Sequence, residues 1–187
     1  DLRMSRGLGD VYKRQAYNIA YKYFNILNMA MMIIVTPFWS ACADAYTKKD
    51  FLWMKNVIEK MEMIWKLSIC VLIIMILVSS TFYDIWVGDS VKISLSLSVM
   101  VGVYILVQNL CGIYIYMING TSKIRLQLVV YLVSAFISVP TMYFLCSKYG
   151  ITVMLLVPIS VCLIQAFVAK KQLTKIIRGT ASGIWIK

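Results

Sequence analysis

The chain contains no histidine. That absence removes a common metal ligand and the usual acid–base group of neutral pH. Acids are also scarce, with 8 Asp and Glu against 19 Lys and Arg, and a net charge of +11. None lies within an apolar run, and Asp84 and Asp89 stand at the edge of one. A Ser-His-Asp set, a pair of catalytic carboxylates and an intramembrane acid relay therefore have no residues to form them here. Cys42, Cys70, Cys111, Cys146 and Cys162 all fall in apolar sequence, and no two make a C-x-x-C pair. They read as inert packing groups, and neither a metal nor a cofactor is expected. The chain is not expected to be an enzyme.

What is abundant is apolar sequence. The chain is 61% hydrophobic and 14% charged, with a mean hydropathy of +0.79. Soluble domains are about 45–50% apolar and about 25% charged. A spanning helix needs about 20 mostly apolar residues. Five segments supply them, at about 17–43, 65–86, 95–118, 126–146 and 151–169. The expected fold class is all-α, a polytopic transmembrane helix bundle of five spans. Between the first two spans, Val57, Ile58, Met61 and Ile64 alternate with Lys55, Glu59, Lys60 and Glu62. Lys48–Met63 is either a short helix on the membrane surface or a watery extension of the second span.

The basic residues are spread over short connections, which points to orientation in a membrane and away from nucleic acid. The segment 44–66, reaching just into the start of the second span, carries Lys48, Lys49, Lys55, Lys60 and Lys66. Lys123 and Arg125 follow the third, and Lys170, Lys171, Lys175, Arg178 and Lys187 follow the fifth. The alternate connections hold only Lys92 and Lys148. The positive-inside rule makes the first set, and the C-terminus, cytoplasmic. Residues 1–15 disagree, because Arg3, Arg6, Lys13 and Arg14 fall where the outer face is required. They show no signal-peptide core. The stretch resembles a translated adapter or assembly scar and is set aside as a non-native tail; a genuine basic tail is the alternative.

Polar residues mark one face of the first span. Asn18, Lys22, Asn25 and Asn28 fall within about a third of the helix circumference, with Thr36 and Ser40 near the same line. Such groups are costly in lipid and usually face a bundle interior or a watery cavity. Lys22 is a candidate attractor of an anionic substrate; alternatively it snorkels to the near surface. In the fourth span Gln127, Tyr131, Ser134, Ser138 and Thr141 share a face, and in the third Gln108, Gly112 and Asn119 lie near one line. Cavity lining and helix–helix glue both fit these two sets, and glue is favoured for the third span. Pro37, Pro140 and Pro158 all lie within spans, where they bend helices.

Three stretches carry a resemblance. TPFWSACADAYTKKDFLWMK (36–55) resembles a P-x-W … A … D-x-x-W-x-K turn. FYDIWVGDSV (82–91) resembles a W-x-G outer turn, and MINGTSKIRLQL (117–128) an N-G-x-x-K-x-R-x-Q inner turn. In this order and spacing they are similar to the C-terminal lobe of O-antigen and capsular-polysaccharide flippases. Those belong to the multidrug/oligosaccharidyl-lipid/polysaccharide exporter superfamily. Lys49 departs from the pattern, which often has Gly before the Asp. The resemblance covers residues 16–187 and implies that the chain is a partial lobe of a larger two-lobe transporter.

The implied cargo is a polyprenyl-diphosphate-linked oligosaccharide, moved across the bacterial cytoplasmic membrane for polysaccharide biosynthesis. The implied partners are the lipid bilayer and the missing N-terminal lobe of the same protein, with no nucleic acid. Under that implication, Lys22 would meet phosphate and the amides would meet sugar hydroxyls. A drug/cation antiporter of the same superfamily is the nearest rival. A polytopic enzyme of O-antigen assembly, and a passive structural subunit, are others.

Overall fold

A computed structural model describes the backbone of residues 2–88 and 91–185, and the side chains of 11–88 and 91–185. Asp89 and Lys187 lie outside the described residues. The elements are α1 (Leu2–Thr47), α2 (Phe51–Val87), α3 (Leu95–Thr121), α4 (Arg125–Tyr149), α5 (Ile151–Met154) and α6 (Leu156–Ile177). A 3₁₀ turn, Gly183–Trp185, follows. The described residues hold no strand. With α5 and α6 taken together, five helices among the described residues are long and apolar enough to cross a membrane. The chain is an all-α, multi-pass membrane protein.

Side chains close the starts of two helices. Asp50 accepts a hydrogen bond from the Trp53 N–H at 3.0 Å and starts α2, and Ser94 accepts one from the Leu97 N–H at 3.3 Å and starts α3. Between α1 and α2, Lys49 adopts φ +58°, a left-handed conformation that favours glycine. The position where the resembled turn often carries Gly is thus one where Gly would relieve a backbone cost.

Of the two expectations for 48–63, the extension is what forms. α2 is continuous over 37 residues. At about 1.5 Å per residue it is roughly 55 Å long, against about 30 Å of hydrocarbon. Its apolar stripe does not lie on a membrane surface. Met54, Val57, Ile58 and Met61 are buried in one cluster with Ile113 and Met117 of α3 and Leu173 of α6. α6 runs past the expected end at Ala169 for the same reason, since Gln172, Leu173 and Ile176 are buried.

α3 is the central helix, packed on α1, α2 and α6, while α4 packs on α5 and α6 at the edge. One apolar cluster lies toward the turns at 48–50 and 122–124, here called the basic end. The other joins Ala20, Phe24, Leu72, Val101 and Ile105 toward the far end, where 91–94 and Gly150 connect helices. Tyr12 is hydrogen-bonded to the Lys92 backbone at that far end, so Lys13 and Arg14 stand there too.

Gly120 brings α3 against α1. A Cβ there would lie 2.9 Å from the Trp39 carbonyl oxygen and 3.0 Å from Cys42 Cβ. The N-G and P-x-W stretches of the sequence therefore touch, and the glycine is required by the close approach of two helices. The Cys42 thiol completes the contact by donating to the Met117 carbonyl at 3.3 Å.

Candidate functional site

The four polar residues of α1 form one stripe, as their spacing requires; its Asn18–Lys22 part faces away from the bundle and its Asn25–Asn28 part lies at the flank, partly covered. Asn18 and Lys22 are exposed, and Asn25 and Asn28 are half-buried. The opposite face of α1 holds the buried Ala16, Ala20, Tyr23, Phe24, Leu27 and Met31. Tyr23 anchors that face by donating from Oη to the Met75 carbonyl of α2 at 3.1 Å and by stacking near Phe82 and Tyr83.

Depth separates the lysine from the amides. Phe24 lies against Gly102, seven residues into α3, or about 10 Å by helix rise. Lys22, two residues before Phe24, is therefore about one and a half turns inside the far end, and its long stem can bring the ammonium back toward the surface. Asn25 and Asn28 lie one and two turns deeper, and an amide is too short to escape. Asn28 Nδ2 donates to Asn25 Oδ1 at 3.0 Å. Asn28 Oδ1 is buried without a hydrogen-bond partner among the described residues. By contrast, Thr36 and Ser40 bond back to the Met32 and Pro37 carbonyls at 2.6 and 3.1 Å. Those two hydroxyls satisfy themselves and ask for no ligand.

The α4 residues face a different neighbour. Ser134 and Ser138 line a cleft of about 300 Å³ against Ser160 and Val161 of α6, together with Thr141. The Gln127 carbonyl accepts from Gln165 Nε2 at 3.4 Å. Tyr131 is 42% exposed and lies beside Cys111 and Cys162. The cleft holds none of the four α1 residues. The two sets are thus brought together internally but not with each other. On α3, Gln108, Gly112 and Asn119 are half-buried. A Cβ on Gly112 would lie 3.8 Å from Met32 Cε of α1, an ordinary contact, so this glycine is not demanded by packing as Gly120 is.

Two groups were not anticipated. Glu62 of α2 accepts from Tyr114 Oη of α3 at 2.7 Å and meets Lys170 of α6 at 3.0 Å. One carboxylate ties three helices at the basic end. In sequence these residues read as a surface acid, a span tyrosine and the start of a basic tail. The second group is the buried amides. Gln172 donates from Nε2 to the Lys123 and Trp185 carbonyls at 2.9 and 3.1 Å, fastening the last turn to the α3–α4 connection. Gln165 and Gln172, seven apart on one face of α6, were the available signal. Asn109 had none: it is 3% exposed, and both its amide atoms lack partners among the described residues.

No protein-family model, no curated protein and no solved structure matches the chain.

Proposed function

We propose that the chain is part of a flippase that moves a polyprenyl-diphosphate-linked oligosaccharide across the bacterial cytoplasmic membrane, with its basic end toward the cytoplasm. The observation that carries this reading is the Asn25–Asn28 pair, half-buried within a span and bonded to each other, with Asn28 Oδ1 left without a partner among the described residues. Amides at such depth need protein or water opposite them. A second lobe across a watery cavity supplies both. Lys22, two turns up the same stripe, adds a cation suited to a diphosphate. The resemblance of the three connecting turns to polysaccharide flippases supplies the cargo class.

The mechanism that follows is alternating access, in which the α1 face binds glycan and diphosphate in turn from each side. Amides offer both donors and acceptors to sugar hydroxyls. The test is glycan export by a bacterium that depends on the protein. Lys22→Ala and Asn28→Leu should each lower surface glycan about tenfold, equivalent to ~1.4 kcal/mol of lost binding, at unchanged protein level in the membrane. Normal surface glycan in both variants would overturn the assignment. Loss of drug resistance with normal glycan would instead favour the antiporter.

A further inference from the structure

At the basic end, α2 and α6 diverge around a cleft of about 390 Å³. Lys55, Lys170 and Arg178 line it, with Glu59 and Glu62. The charges are not equally available. Glu62 is committed to Tyr114 and Lys170, and its side chain is 22% exposed. Lys55 and Glu59 are 3.8 Å apart and both largely exposed, a loose pair. Arg178 has no acidic partner among the described residues. The cleft therefore offers a free guanidinium and a loosely held ammonium, with its deepest acid already neutralised.

The rest of the cleft fixes the kind of anion. Ile58, Leu173 and Ile177 give it an apolar wall. Trp53 and Trp185 lie at the same end, and tryptophan is enriched at the border between hydrocarbon and headgroups. The two available cations, Lys55 and Arg178, stand at its outer rim beside that apolar wall, with the Glu62–Tyr114–Lys170 tie closing its inner end, and a rim of this kind suits a phosphodiester attached to acyl chains. The guanidinium fork pairs with the two non-bridging phosphate oxygens. Basic pockets between spanning helices commonly hold anionic headgroups.

We propose that this cleft binds the headgroup of an anionic phospholipid, with Arg178 and Lys55 on the phosphate. The site is on α2 and α6, apart from the α1 stripe, so it stands whether or not the chain carries glycan. The purified full chain in detergent is titrated with phosphatidylglycerol and, separately, phosphatidylcholine, and bound lipid is counted by native mass spectrometry. Phosphatidylglycerol should bind about fivefold or more tightly than phosphatidylcholine. Arg178→Gln should erase about fivefold of that, the effect of one cation near a headgroup layer, and Lys148→Gln at the far end should change nothing. If Arg178→Gln loses helical circular dichroism, Lys55→Gln replaces it. Equal binding of the two lipids, or unchanged binding in the cleft variant, overturns the proposal. So does displacement of phosphatidylglycerol by equimolar inorganic phosphate, which would make the ligand a free anion.

Discussion

α3 and α4 are both apolar enough to span a membrane, yet half of the apolar window of α3 is buried and none of that of α4 is. In water such a difference would follow hydrophobicity. In lipid it does not, because the tails are as apolar as leucine and reward no burial. Close packing decides instead. α3 carries Gly102 and Gly120, which let Leu72 of α2 and Trp39 of α1 approach, whereas α4 has no glycine and turns Leu132, Phe136, Val139 and Tyr143 outward.

The comparison can be broken most sharply by emptying one position on each helix. Ile113 of α3 is fully buried and Phe136 of α4 is 81% exposed. Ile113→Ala should destabilise the protein by about 2–5 kcal/mol, and Phe136→Ala by less than about 0.5 kcal/mol. Unfolding in mixed micelles measures both; equal losses would mean that α4 is not at the edge. Filling space is the next test. Gly120→Val drives a side chain into the α1 backbone and should cost about 1–3 kcal/mol, while Ala135→Val on α4 should be nearly silent. The smallest effect concerns hydroxyls. Tyr114→Phe removes the 2.7 Å hydrogen bond to Glu62 and should cost about 1 kcal/mol, discounted for partial exposure. Tyr131→Phe should cost less, and a reversal of that order in the same assay would relocate the tie.

The contrast also explains what could be read from sequence. The five spans were legible because lipid-facing helices must be apolar along their whole length, as Trp65–Trp86 and Leu126–Cys146 are. The α1 stripe was legible because its period belongs to one helix. The centrality of α3 was not, since the approach at Gly120 depends on Trp39, 81 residues earlier. The Glu62–Tyr114–Lys170 tie was hidden for a like reason: each member looks ordinary until three helices meet. The surface-helix alternative for 48–63 failed because an amphipathic stripe has the same spacing whether it meets lipid or protein. Packing on Ile113, Met117 and Leu173 made the choice.

Pro158 has one more effect. Lacking an N–H, it cannot bond to the Met154 carbonyl, and the last span is divided there, between α5 and α6, at the buried Leu155. Gly150 joins α5 to α4 with φ +85°. Two weak points thus lie five residues apart in one hairpin. The four-residue α5 is bounded by a break in regular helix at each end, and the turn from α4 into α6 is made in two steps and not one.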